Sequence, residues 1–490
     1  MTGHRRGRWG GPASARPPAG IDTSRERPSA GRGFEHLGLS SLLAALGVLF
    51  ALCSCGAGDG DRRRPNLVVI IIDTLRADRL GAYGFGTDAS PELDTYARRG
   101  VRFASVFASS SWTRPSVGAL LTSLYPRTLG IYDEEGHALN ESFTTLPEVL
   151  REHGYWTLGA TANPNINSSF NFDQGFDHYI DSNVLWEWMP EEPGKKLETE
   201  QALHSGAEIY RALEAQLSRV EHRPFYAQVT VMEVHEASRE YAAGSNPSDP
   251  AEEEEPPPEE TERRYFEAVQ QASREAHAFI RTLSALTQGE QTLFVVTSDH
   301  GEGLSDHPHV GRSRRHGPLL YESQLRVPLI LYSTAGDLPA GRVIETPVRL
   351  LDLMPTILDY AAVPAPDGIE GRSLLPLLRD EDAAVDLPET FVAETRFRRY
   401  NKIAAYEKKW KYIENRDHHR GTPPRALHRT GVKEDGRRTD RAPGYPAVVD
   451  RFASWVRAWE EAHPQAAPTA ADTPLSDSEI AQLESMGYGQ

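Results

Sequence analysis

The chain has 490 residues and a net charge of −17. That length suffices for one large α/β core with a smaller unit beside it. A body this acidic is a poor partner for nucleic acid, so nucleic-acid binding is excluded as a function class.

The first 55 residues run against the overall charge, with seven arginines against three acidic residues. An uncharged apolar run follows, Leu37 to Leu52, closed by Cys53 and Cys55, which are both of the chain's cysteines. A basic leader, an apolar stretch and small residues are the parts of a secretory signal. Leu52-Cys53-Ser54-Cys55 resembles a bacterial lipoprotein cleavage box, with Cys55 as the lipidated residue that would anchor the protein to a membrane. An uncleaved membrane anchor and a Cys-x-Cys metal pair are the alternatives. Gly56 after Cys55 favours the periplasmic side of the outer membrane or the cell surface. Residues 56–64 read as a polar tether.

Asn66 is followed by LVVIII, a continuous apolar run suited to a central strand buried on both faces, and it ends in Asp73. A carboxylate at that place must be paired, capped or bound to a cation. Ser90-Pro91-Glu92 opens a helix that Gly100 closes. A second strand is expected over Val101 to Phe107. It leads into Ser109 to Arg127, where Pro115 fits a first helical turn and Val117, Leu120, Leu121 and Leu124 continue at helical spacing. Thr113 stands at the start of that helix, either as its N-cap or as a hydroxyl beside an anion-binding helix terminus.

Thr145 to Glu148 is a capping box, and Tyr155 to Ala162 is a third strand. Phe225 to Met232 is another, ending in Glu233-Val234-His235. Residues 244–261 are acidic and proline-rich and are expected to be a disordered loop. Glu262 to Leu286 is an amphipathic helix. Thr292 to Ser298 is a further strand, and it ends in Asp299-His300. His307, His309 and His316 follow in a polar loop. Strands alternating with helices predict an α/β fold with a large, mostly parallel sheet flanked by helices. After about residue 380 short strands (Phe391 to Glu394, Lys402 to Tyr406, Trp410 to Glu414) predict a small C-terminal antiparallel subdomain, followed by a helix over Val448 to His463 and a second capping box at Ser476 to Glu479. The expected division is therefore 1–55 leader and signal, 56–64 tether, 65–380 catalytic domain and 381–490 C-terminal subdomain.

In open α/β sheets ligands bind beyond the carboxyl ends of the strands. Asp73, His235 and Asp299-His300 each stand at such an end, and Thr113 lies in a loop after one. Two carboxylates, an imidazole and a hydroxyl converging there would form a divalent-metal site with a nucleophile, leaving His235 and His316 to meet a charged substrate oxygen or a leaving group. Singly, Asp73 could be a helix cap, His235 a core histidine and His316 a surface residue.

PNLVVIIIDTLRADRLGAYG, TRPSVGALLTSLYPR, TSDHGEGLSDH, HGPLLYESQLRVPLIL and the closing LSDSEIAQLESMGYG together resemble the sulfatase family of the alkaline-phosphatase superfamily. The resemblance runs from Pro65 to about Leu378, and more weakly to the end. It implies an alkaline-phosphatase-like α/β domain, a small C-terminal α+β subdomain and one divalent cation, calcium by family habit, with manganese or zinc also compatible with a ligand set that includes His300. It also implies a metal set of Asp73, Thr113, Asp299 and His300, with Thr113 at the nucleophile position and His235 and His316 as substrate contacts or proton donors. Sulfatases carry C/S-x-P-S-R, whose first residue becomes formylglycine. Here the pentapeptide is Thr113-Arg114-Pro115-Ser116-Val117, and Thr74 stands where many members have a second aspartate. Threonine is not a precursor of the aldehyde, so the resemblance implies an exported hydrolase of sulfate or, in better accord with threonine, phosphate or phosphonate esters, on a small-molecule or glycan substrate. The other reading is a catalytically degenerate relative that binds anionic glycans or envelope material.

Overall fold

The computed structural model describes residues 64–131, 137–181, 205–219, 224–237, 257–307, 315–380, 382–417, 422–434, 436–471 and, near the end, 475, 476, 479, 480, 482 and 483. The leader, Cys53, Cys55, His309 and the greater part of the acidic segment lie outside the described residues. No helix among the described residues is long and apolar enough to cross a membrane.

The apolar runs form strands because each gains partners on both edges and cover on both faces. β1 (Asn66–Ile72) is buried along its whole length. It pairs in parallel with β7 (Phe225–Val231) on one side and β8 (Thr292–Thr297) on the other, with Ile71 opposite both Thr230 and Thr297. β5 (Trp156–Thr161) extends the sheet beyond β7, and β6 (His178–Ile180) forms that edge. On the other side β10 (Leu329–Ser333) is antiparallel to β8 and to β2 (Val101–Phe103), and β11 (Arg342–Ile344) closes the edge beside β2. The eight-stranded order is β11-β2-β10-β8-β1-β7-β5-β6, a mostly parallel sheet with helices packed on it, as expected.

The strand expected over Val101 to Phe107 is two strands. β2 stays in the main sheet, while β3 (Val106–Phe107) joins a three-stranded sheet with β9 (Arg326–Val327) and β12 (Val348–Arg349). Between them, Ala104 and Ser105 bring small side chains to the break, and their backbone groups bond to Ile344 and Val348 instead of extending the ladder. Pro328 separates β9 from β10 for a related reason: it has no N–H to give to a ladder.

The helices follow their local signals. α1 (Pro91–Arg99) starts on Pro91, and Ser90 turns its hydroxyl to Asp94 instead of capping. α2 (Thr113–Thr122) carries the central stretch. α3 (Leu146–Glu152) has the full reciprocal capping box of Thr145 and Glu148. The short α5 (Glu233–Ala237) follows β7 and lies after α4 (Gly206–Leu217). The long amphipathic helix α6 spans Pro258–Leu286, four residues earlier than expected. Disorder was expected through residue 261, yet Pro258 takes the first helical turn, and Glu259 and Glu260 sit at the positive end of the helix dipole, so the acidic run promotes the helix here.

The C-terminal strands β13 (Thr390–Phe397), β14 (Tyr400–Glu407), β15 (Trp410–Asn415) and β16 (Arg425–Arg429) form an antiparallel meander, covered by α7 (Pro446–Ala462). The expected turn at Glu407-Lys408-Lys409 is present, with Lys408 at φ 53°. The second capping box is formed by reciprocal bonds between Ser476 and Glu479.

Candidate metal and hydrolytic site

The strands β8, β1, β7 and β5 lie side by side and parallel, so their carboxyl ends open onto one crevice. They deliver, in lateral order, Asp299-His300, Asp73, His235 and Asn163. α2 brings Thr113 to the same place. All six expected site residues, Asp73, Thr113, His235, Asp299, His300 and His316, are buried.

Thr113 is the first residue of α2 and caps nothing, since Trp112 occupies the N-cap position without a side-chain bond. Its hydroxyl oxygen lies 3.2 Å from His300 Nε2 and 3.5 Å from Asp73 Oδ2. Ser116, one turn on, donates to the Asp299 carbonyl at 2.6 Å and ties the helix to the β8 end. Asp73 is not a helix cap. Thr74 after it has φ 59°, a strained backbone for a β-branched residue. That twist aims the Thr74 N–H at Asp299 Oδ1 (3.4 Å), while the Thr74 hydroxyl turns back to the Asp73 carbonyl (2.7 Å).

Asp73, Asp299 and His300 each offer one ligand atom, all within 4.8 Å of one another. The ring of His300 has its Nδ1 2.9 Å from the Gly301 carbonyl, a contact that only a protonated Nδ1 makes. Nε2 therefore carries the lone pair. Burial pushes this imidazole below its ordinary pKa, Asp299 opposes the fall and His316 adds to it. Asp299 Oδ2 is buried without a hydrogen-bond partner among the described residues. It lies 3.4 Å from His300 Nε2. Two lone pairs facing each other in a buried space are unfavourable alone and favourable around a cation. The donor set of carboxylates, one imidazole and a hydroxyl thus fits a divalent metal.

His316 is buried, not a surface residue, with its ring centroid 4.9 Å from that of His300 and 5.1 Å from that of His235. Its loop is held by Gly317, which exchanges bonds with Ser111, two residues before Thr113. Gly317 has φ 89° and lies under the Phe397 ring, which also meets Trp112 edge-on. The stretch before Thr113, the histidine loop and the C-terminal sheet therefore meet at one point.

Two further residues belong to this site. Asn163 donates through Nδ2 to Asp73 Oδ2 and, at 3.2 Å, to Thr113 Oγ1. Its side-chain oxygen Oδ1 accepts from the Asn165 backbone N–H and side-chain amide. Asn165 in turn is gripped by Arg114, whose guanidinium lies over the Phe170 ring at 3.7 Å. Glu302 accepts from His316 Nδ1 at 3.0 Å. The strand-end rule that singles out Asp73 also applies to Asn163, two residues past β5, but Asn-Pro-Asn reads first as a turn.

A family model described as Sulfatase matches residues 65–363. N-acetylgalactosamine-6-sulfatase from Canis lupus familiaris is 27% identical over 392 residues, covering 69% of this chain and 71% of its own length. The ulvan-active sulfatase of Formosa agariphila is 24% identical over 379 residues, covering 70% and 71%. Among solved structures, a phosphonate monoester hydrolase from Silicibacter pomeroyi superposes with a TM-score of 0.65 at 18% identity, covering 82% of this chain and 96% of that one. A putative sulfatase from Bacteroides thetaiotaomicron gives the same TM-score and identity, with 82% and 93% covered. With that family match over most of the body, and with a candidate metal triad at the strand ends, the chain belongs to the sulfatase family of the alkaline-phosphatase superfamily.

Proposed function

We propose that this protein hydrolyses phosphate or phosphonate esters with Thr113 as nucleophile. The observation that carries the reading is the Thr113 hydroxyl itself: buried, not spent on capping, and set against both Asp73 and His300. Asp73 serves two ends, with Oδ2 towards Thr113 and Asn163 and the carboxylate also within the metal set. A divalent cation held by Asp73, Thr113, Asp299 and His300 would supply charge neutralisation for an anionic ester and lower the cost of ionising the hydroxyl. Calcium, manganese and zinc are each compatible with these donors.

Thr113 Oγ attacks phosphorus and loses its proton to Asp73. The bond from phosphorus to the ester oxygen breaks, and that oxygen leaves with a proton from His316 or His235. Water then attacks the phosphothreonine at phosphorus, which releases phosphate (or phosphonate) and restores the hydroxyl. A sulfothreonine would require attack by water at sulfur, because threonine lacks the second hydroxyl with which a formylglycine hydrate expels sulfate. His235 and His316 stand together at the crevice, as proton donors to a leaving group should. The likeness to a phosphonate monoester hydrolase accords with this substrate class, and that to glycan-acting sulfatases with a carbohydrate ester. The protein is further proposed to be exported and lipid-anchored through Cys55 on the periplasmic side of the outer membrane or at the cell surface.

The test assays the protein, loaded in turn with calcium, manganese and zinc, on matched aryl sulfate, phosphate monoester, phosphodiester and phosphonate esters. Thr113→Ala and Asp299→Ala serve as controls. Phosphoester or phosphonate turnover that falls by about 10³-fold or more in both variants is the expected result. Sulfate turnover that survives Thr113→Ala would overturn it. Metal binding without turnover of any ester would favour the binding protein.

A further inference from the structure

The histidine loop contains a second buried carboxylate that the metal set does not use. Glu302 follows His300 by two residues, yet its side chain is directed to His316, fourteen residues on. Its side chain has no solvent exposure, and that of His316 has 7%. In the carboxylate, Oε2 accepts from His316 Nδ1 at 3.0 Å and Oε1 accepts from the Gly303 N–H at 2.8 Å. The loop that places it is tightly built. Gly301 has no room for a side chain, because an added Cβ would stand 2.1 Å from the Ser323 carbonyl. Arg76 binds the Glu302 carbonyl at 3.0 Å and reaches Asp306 at 2.7 Å. The Gly303 N–H also bonds to the Arg315 carbonyl, which holds the residue before His316 against the same turn.

The consequence is chemical. Oε1 is engaged by the Gly303 N–H, which turns Oε2 to the His316 ring at 3.0 Å. A carboxylate oxygen set against a ring nitrogen in this way accepts a hydrogen bond from it, so the contact assigns the hydrogen to His316 Nδ1. The ring is thereby held in one orientation with its Nδ1 hydrogen on Glu302; when the ring is doubly protonated, the Nε2 proton is the one that passes to a substrate oxygen, leaving the neutral Nδ1–H form. The packing of His316 beside His300 and His235 puts that ring at the crevice.

We infer that Glu302 is a positioning residue that orients His316 to protonate the leaving-group oxygen. The inference rests on the ester-hydrolase reading above. It departs from it in assigning the leaving-group proton to His316 and not His235, and in naming the group that makes His316 competent.

Glu302→Gln is the informative variant. Glutamine keeps the volume but has one acceptor oxygen where Glu302 uses two, so either Gly303 or His316 loses its bond. Metal-loaded wild type, Glu302→Gln, His316→Ala and the double variant are compared on aryl phosphate or phosphonate esters whose leaving groups run from p-nitrophenol to phenol. Turnover of the phenyl ester should fall about 10- to 100-fold in Glu302→Gln, and that of the p-nitrophenyl ester, which needs no proton, less than about threefold. In the His316→Ala background the same change should add nothing, since the two residues act as one unit. An equal loss across leaving groups, or an additive loss beside His316→Ala, would overturn the inference. A second readout is independent of turnover. In ¹⁵N-histidine-labelled, metal-loaded protein the His316 Nδ1 proton should be a protected low-field signal, assigned by its absence from His316→Ala. It should be lost or shifted in Glu302→Gln. A signal unchanged by that substitution would overturn the positioning role even if no ester were turned over, whereas its loss with all esters silent would uphold the positioning and count against the hydrolase reading alone.

Discussion

At the scale of single residues the site depends on donors and acceptors placed in pairs. Asn163 illustrates this: one side-chain amide steadies both the carboxylate and the hydroxyl through which the chemistry is proposed to run. Its own orientation is fixed by Asn165 accepting from Arg114. Replacing Asn163 by alanine should lower turnover or metal affinity by about 10- to 100-fold, the usual cost of losing a group that orients a ligand. Steady-state assays with a metal titration would check this, and unchanged values would remove Asn163 from the site. Asn163 was hidden in the sequence because a turn-forming Asn-Pro-Asn and a site asparagine look alike. Asp73 and Asp299-His300 were legible as candidates because a charge at the end of a fully apolar strand must be paired, capped or bound to a cation.

At the scale of elements the short helix α5 carries His235, and its entry is controlled by Glu233. This carboxyl accepts from the Gly206 N–H at the start of α4 and lies against Glu275 of α6, with Tyr210 of α4 also facing it. Glu233 Oε2 and Glu275 Oε2 are both buried without a hydrogen-bond partner among the described residues, which one shared proton would satisfy. Burial, with Glu275 next in weight, pushes Glu233 up to about 7. The folded protein holds this proton more tightly than the unfolded chain does, so the stabilisation is whole below about pH 4.5 and is lost as pH rises through about 7. Glu233→Gln, which donates to Glu275 at any pH, should raise the melting temperature at pH 8 relative to wild type and leave it nearly unchanged at pH 4.5. Parallel pH profiles for the two proteins would refute the shared proton.

At the scale of the whole molecule the C-terminal sheet is fastened to the main body by buried charge. Lys411 on β15 bonds Glu434 at 3.0 Å, Glu434 also accepts from the Glu322 backbone at 2.6 Å, and both side chains of the pair are essentially unexposed. Burial lowers the Lys411 pKa, while Glu434 and Glu322 oppose the fall. A second cluster joins Arg127 to Glu394 of β13 and Glu460 of α7, and Arg416, just past β15, to Glu460. Breaking one partner of a buried pair leaves an uncompensated charge. Lys411→Met should therefore cost about 3–5 kcal/mol in denaturant unfolding. Adding Glu434→Gln, which removes the charge but keeps an acceptor for Glu322, should restore a large part of it. A double variant no better than the single one would show that the charge is not the cause. Because Phe397 of this sheet covers Gly317 and meets Trp112, loosening it should reach the site as well.

The sequence by itself determined the local elements and the chemistry they carry. Strands buried on both faces must be continuous apolar runs, capping boxes are written within four residues, and a helix through Val117, Leu120 and Leu121 follows from its spacing, although it ends at Thr122, before Leu124, where Ser123 turns left-handed. It also placed Asp73, Asp299 and His300 at strand ends. Only the tertiary structure decided that the neighbours are β8, β1, β7 and β5, an order unrelated to their order in the chain. It likewise split Val101 to Phe107 between two sheets and brought Glu302 to His316. The reason is that strand order and side-chain partnership are set by pairing between distant segments competing for the same core, whereas periodicity and caps report interactions only a few residues apart.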